Sequence, residues 1–113
     1  MSKLYLHFLC IARALETNKK TMKDVDSTAI LLLNEIAIQH FEVKPMTVSE
    51  AMKLNSIASQ ATIHKKIDDL REAGLIKLNF KGQNRRTKFL IPTKIAQAYF
   101  KKMSDSMHKA IEY

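Results

Sequence analysis

The stretch SQATIHKKIDDLREAGLIKLNFK, residues 59–81, changes its period partway along. From Gln60 to about Ala73 the apolar residues Ile63, Ile67 and Leu70 fall four and three apart, the single narrow stripe of an amphipathic helix. Ser59 stands before it with a hydroxyl suited to an N-cap. Gly74 stands after it, where a left-handed residue closes a helix. Then Ile76, Leu78 and Phe80 alternate with Lys77, Asn79 and Lys81, the period of a strand. Residues 81–86 contain Gly82 and read as a hairpin tip, and residues 87–91 as the returning strand. The stretch is a helix that runs straight into a basic hairpin.

Upstream, Thr47 or Ser49 starts a short helix with Val48, Ala51, Met52 and Leu54 inward, and Asn55-Ser56 turns the chain toward Ser59. Two helices joined so tightly make a helix-turn-helix. Before them, Asp26 or Ser27 caps a helix from Thr28 to about Phe41, with residues 30–33, Ile36 and Ala37 as core candidates. Pro45 prevents its continuation and starts a short extended link. Downstream, Pro92 ends the hairpin and Thr93 caps a last helix carrying Ile95, Tyr99, Met103 and Met107 as a stripe, with Phe100 and Ile111 beside it. At the start, Ser2 caps a helix to about Glu16 in which Leu4, Phe8, Ile11 and Leu15 form a stripe that Tyr5, Leu6, Leu9 and Ala12 widen. A helix apolar on most sides requires cover on most sides, which a second subunit can supply. Residues 17–23 are a polar, lysine-rich connection.

The fold class expected is mainly α with a small β-hairpin wing: a winged helix-turn-helix with flanking N- and C-terminal helices. The whole of residues 1–113 reads as one DNA-binding domain, with residues 1–23 and 93–113 as the dimerisation elements. Only two Gly and two Pro occur, too few for the turns of an all-β fold.

Charge points to a partner. The net charge is +8, which favours a polyanion. Between Glu72 and Asp105 there is no acidic residue, while Lys77, Lys81, Arg85, Arg86, Lys88, Lys94, Lys101 and Lys102 all lie there. With Ile63, Ile67 and Leu70 turned inward, the helix after Ser59 turns Ala61 and Lys65 outward, flanked by Thr62 and His64 and led by Gln60. These are small, hydrogen-bonding or basic groups at the end of a helix that enters a major groove. Asp68, Asp69 and Glu72 further along would be repelled by phosphate, so only the N-terminal half enters. The candidate DNA-binding residues are therefore Ser59, Gln60, Ala61, Thr62, His64 and Lys65 on the helix, and Lys81, Arg85, Arg86 and Lys88 on the wing.

Three segments, VSEAM from Val48, ATIHKKIDDLREAGLI from Ala61, and NRR from Asn84 with IPT from Ile91, together resemble the MarR-type winged-helix regulators over about residues 28–100. The resemblance implies a dimeric, sequence-specific regulator of transcription acting on double-stranded DNA. Its most specific part, the end of the helix after Ser59 and its run into the wing, is shared by many winged-helix families. Two departures are visible. Asn84 stands near the place where that family carries an Asp before the wing arginines, so the ion pair that would hold the arginine is not supplied. Only one helix fits after Thr93, where the family ends in two, which implies a reduced dimer interface and no family-type ligand pocket between its helices. An effector, control through oxidation of Cys10 as in some members of that family, and the sign of regulation stay open, with repression as the default.

Other classes receive little support. Cys10 is the only cysteine, so no internal disulfide forms, and its apolar helix suggests a buried, inert thiol. His7, His40, His64 and His108 are scattered without metal-ligand spacing, and no cofactor motif or catalytic cluster is present, so the sequence gives no metal, no cofactor and no enzyme. Lys3 and the apolar residues 4–11 have the outline of a secretory leader, but His7 interrupts the run and Arg13 occupies a small-residue position. No apolar run reaches the roughly 18–20 residues of a membrane span. A cytoplasmic, nucleoid-associated protein is expected. The alternatives are a winged-helix protein-interaction or assembly module, or a replication or partition factor of a mobile element.

Overall fold

The computed structural model describes residues 2–19 and 25–111, with side chains for all of these except residues 16–19, 81, 84 and 85. The elements in order are α1 (Lys3–Lys19), α2 (Ser27–Glu42), β1 (Met46–Thr47), α3 (Val48–Ala51), α4 (Gln60–Glu72), β2 (Ile76–Lys81), β3 (Asn84–Pro92) and α5 (Lys94–Ile111). The chain divides into two compact units, one over residues 25–96 and the other from α1 and the part of α5 beyond Ala96.

In the first unit the helix ends form where the sequence offers caps. The Asp26 side chain accepts from the Ala29 N–H at 2.9 Å. Thr47 and Glu50 make a reciprocal capping box: Glu50 N donates to Thr47 Oγ1 at 3.1 Å and Thr47 N to Glu50 Oε1 at 2.9 Å. These contacts hold the Glu50 carboxyl below its usual range, chiefly through the Thr47 N–H. At the far end of α4, Gly74 N donates to Arg71 O at 3.0 Å and Leu75 N to Leu70 O at 2.9 Å. That is the Schellman pattern, and Gly74 takes the φ of 77° it requires.

The core of this unit is built from the stripes of two helices, α2 and α4, and one face of the sheet. Leu32, Leu33 and Ile36 of α2, Ile63 and Leu70 of α4, and Leu75 and Leu90 beside or within the sheet are the largest fully buried side chains. Each such side chain stabilises the fold by about 1.5–3 kcal/mol relative to exposure. The expected stripe Ile63, Ile67, Leu70 is buried as a whole. On α2 the expected apolar run divides: Ile30, Leu32, Leu33 and Ile36 are buried, Ala37 is half-buried, and Leu31 points out at 55% exposure.

The sheet has three antiparallel strands in the order β1-β3-β2. The link after Pro45 is thus a strand in its own right, pairing Met46 with Leu90 and Thr47 with Phe89. The hairpin keeps one register from Ile76↔Pro92 to Phe80↔Lys88, then steps so that Lys81 faces Asn84. The returning strand accordingly begins at Asn84, not at residue 87. Arg85 and Arg86 lie within it beside the step, and the turn itself is Gly82-Gln83.

The second unit is helical. α1 continues to Lys19, past the Glu16 expected, and the rest of the expected 17–23 connection lies outside the described residues. Leu4, Tyr5 and Phe8 are exposed, and Cys10 is half-buried, less enclosed than the sequence suggested. On α5 the stripe is only partly inward: Met103 is buried and Tyr99 and Phe100 half-buried, while Met107 and Ile111 are exposed. At its start, within the first unit, Ala96 is buried and Ile95 is 59% exposed, against the expectation for Ile95.

Candidate nucleic-acid interface

The loop after α3 delivers Ser59 to the start of α4. Thr62 N donates to Ser59 Oγ at 3.3 Å, and the Ser59 hydroxyl donates to Thr62 Oγ1 at 3.0 Å. Both side chains are thereby engaged with the helix end, and Thr62 is half-buried. Gln60, Ala61, His64 and Lys65 are exposed along the N-terminal half of α4. A stripe of three buried apolar residues on the opposite side sets this orientation.

Every basic side chain of α4 has a carboxylate nearby. Lys65 lies 3.5 Å from Asp69 and His64 Nδ1 3.7 Å from Asp68, each one turn along. Arg71 lies 3.9 Å from Asp68. Exposed pairs of this kind are worth about 0.3–0.5 kcal/mol, so they yield readily to a competing anion. Lys66 is different. Its side chain is 15% exposed against 73% for Lys65, and Nζ sits 2.7 Å from Asp26 Oδ2, with Asp69 at 3.8 Å. The Lys66 ammonium, through its hydrogen bond, holds the Asp26 carboxyl below the usual range, with the Ala29 N–H adding to it. The Lys66 amine is raised by the same bond. The sequence reading passed over this residue, although position 66 lies three after Ile63 and four before Leu70 and so flanks the buried stripe.

The wing carries the remaining sequence candidates. Lys88 on β3 is exposed, as is Lys77 on β2, which was not among them. Arg86 is exposed on β3. Lys81 and Arg85 occupy the last position of β2 and the second of β3, and their side chains lie outside those described. The C-terminal half of α4 and the wing border an open groove, with Asp68 and Glu72 on the helix side and Leu78, Phe80 and Lys88 on the strand side.

Among the described residues no group of three His, Cys, Asp or Glu could hold a metal ion. No described helix is long and apolar enough to cross a membrane.

No family profile and no curated protein sequence matches the chain. Solved structures do match. The transcriptional regulator Tm0710 of Thermotoga maritima superposes with a TM-score of 0.71 at 16% identity, over 93% of this chain and 69% of its own. The MarR protein of Peptoclostridium difficile gives 0.57 at 20% identity, over 98% and 71%. BpsR of Bordetella bronchiseptica, whose DNA binding is regulated by 6-hydroxynicotinic acid, gives 0.57 at 15% identity, over 98% and 77%. At such identities the likeness is one of fold. With the capped helix-turn-helix, the three-stranded wing and the flanking helices already described, it establishes that this chain has the winged helix-turn-helix fold of the MarR-like regulators.

Proposed function

We propose that the protein is a transcriptional regulator that binds double-stranded DNA as a homodimer and acts as a repressor. The observation that carries this reading is the pairing of an exposed Gln60, Ala61, His64 and Lys65 at the head of α4 with an acid-free basic stretch from Ala73 to Ser104. The head of α4 is inserted in the major groove, with its free N–H groups facing phosphate. Lys81, Arg85, Arg86 and Lys88 meet the flanking backbone or enter the minor groove, where the potential is most negative.

The dimer is proposed through the N- and C-terminal helices. Leu4, Tyr5 and Phe8 on α1, with Met107 and Ile111 on α5, are large apolar side chains left exposed in the single chain, and burying them against a second copy removes them from water. Two-fold symmetry then requires a palindromic site with half-sites about one helical turn apart. A dimer seated over a promoter excludes polymerase. The working place of such a protein is the cytoplasm, on the nucleoid. Regulation of DNA binding by a small molecule in BpsR gives this fold a precedent for an effector, without naming one for this chain.

Fluorescence anisotropy on a mixed-sequence duplex across a salt series tests the reading. Wild type binds with an affinity that falls steeply with salt, and the Arg85→Ala, Arg86→Ala double variant has a shallower slope. Absence of binding even at about 50 mM salt, where non-specific attraction is strong, overturns it. A winged-helix protein-interaction module then becomes the leading account.

A further inference from the structure

Lys65 and Lys66 are adjacent bases in the half of α4 assigned to DNA, yet the fold treats them oppositely. Lys65 is exposed and its partner Asp69 lies on its own helix. Lys66 is drawn off the helix surface toward the start of α2. The carboxylate that receives it is fixed by the backbone: Asp26 Oδ1 accepts the Ala29 N–H at 2.9 Å, and Oδ2 takes the Lys66 ammonium at 2.7 Å. Asp69, also near Lys66, is shared with Lys65.

We propose that Asp26 withholds Lys66 from the DNA backbone, so that the phosphate contacts of α4 come from Lys65 and the helix terminus alone. This rests on the DNA-binding reading above. Its consequence is selectivity. A lysine neutralised within the protein releases no counterion when DNA binds, so it adds nothing to the sequence-independent attraction. The base-facing Gln60, Ala61 and His64 are untouched by the pair, and the ratio of specific to non-specific affinity rises. The same carboxylate caps α2 and engages α4, so the lysine is retained by a group the fold needs in place.

The test uses three variants, Asp26→Asn, Lys66→Gln and the double variant, with binding to a mixed-sequence duplex measured against salt. Asn is as good an N-cap as Asp, so α2 keeps its start, and thermal unfolding verifies that each variant folds. Asp26→Asn is expected to steepen the slope of log affinity against log salt by about 0.9, one phosphate contact. Lys66→Gln and the double variant are expected to keep the wild-type slope. A Lys66→Gln slope shallower by about 0.9 shows that Lys66 already contacts DNA and overturns the proposal. So does an equal steepening by Asp26→Asn with Lys66 present or replaced, which makes Asp26 a simple repulsive charge, and so does an unchanged slope in Asp26→Asn. Lys66→Gln decides the matter even where Asp26→Asn does not fold. Failure of the wild type itself to bind removes the DNA-binding reading and this inference with it, whereas slopes that contradict the proposal on a wild type that binds count against the inference alone.

Discussion

The hydroxyl of Thr93 donates to the carbonyl of Gly74, and the same oxygen accepts the backbone N–H of Ala96 at 3.2 Å. One side chain therefore closes the end of the helix-turn-helix and opens α5, while Thr93 N donates to Leu75 O at 3.1 Å. Thr93→Val keeps the branched shape and removes both hydroxyl bonds. It is expected to cost about 1–2 kcal/mol, the upper range of a lost cap, in urea unfolding, with the m-value unchanged. Thr93→Ser is expected to stay near wild type.

Gly74 itself is held at φ 77°, and a Cβ placed there would lie 3.2 Å from Ile95 Cδ1. Gly74→Ala is expected to cost about 1–2 kcal/mol, the penalty of a side chain in the left-handed region. Adding Ile95→Ala clears the space but leaves the backbone cost, so the double variant should recover little. Full recovery in the same unfolding experiment would show that crowding, not φ, is the cause.

Ser59 offers a way to separate folding from binding. Ser59→Ala is expected to lose about 1 kcal/mol with the cap. Ser59→Asp keeps a capping oxygen and adds an anion favoured at a helix N-terminus, so its melting temperature should hold. The same anion would face phosphate, and DNA affinity should fall. Parallel melting and anisotropy curves distinguish the two effects, and an unaltered affinity in Ser59→Asp would place Ser59 away from DNA.

The Asp26 carboxyl, lowered by Lys66, makes an acid-sensitive contribution. A carboxyl with a depressed folded-state pKa binds fewer protons folded than unfolded, so its stabilisation is present above its ordinary value of about 3.9 and is lost as pH falls toward the lower folded value. Glu50 acts with the same sign. The melting temperature of wild type should therefore drop more between about pH 5 and pH 3 than that of Asp26→Asn, whose side chain does not titrate. Parallel pH profiles would mean that ionisation of Asp26 adds no net stability.

Leu31 and Leu32 are neighbours in an unbroken apolar run, but Leu31 is 55% exposed and Leu32 fully buried. Leu32→Ala is expected to cost about 2–5 kcal/mol, as buried leucines do. Leu31→Ala should stay within about 0.5 kcal/mol in chemical denaturation, the range of a surface change.

These two residues also show where the sequence was readable. α4 and its two ends were legible because Ile63, Ile67 and Leu70 are separated by polar residues, so only one face could turn inward, and because Ser59 and Gly74 act through local backbone chemistry. Residues 30–33 are apolar throughout, and nothing local tells Leu31 from Leu32; the choice is made by what packs against α2. β1 was read as a link because two residues are too few to show alternation, and its pairing with Leu90 and Phe89 is non-local. The step in the hairpin is likewise set by hydrogen bonding between strands, so the positions of Arg85 and Arg86 came out displaced. The exposed base Lys65 followed from helical spacing, whereas the fate of Lys66 depends on Asp26, forty residues earlier.

That step also makes the wing modular. From Ile76↔Pro92 to Phe80↔Lys88 the strands are locked to each other and β3 is flanked by β1, so length changes there would shift side chains between core and solvent. Beyond Phe80 the register is already interrupted, and none of the described side chains between there and Lys88 belongs to the buried core. Residues added or removed near Gly82-Gln83 would alter reach by about 3.4 Å for each paired addition. Proteins of this fold can thus differ in how far the wing projects by length variation in one hairpin tip, with the rest of the scaffold unchanged.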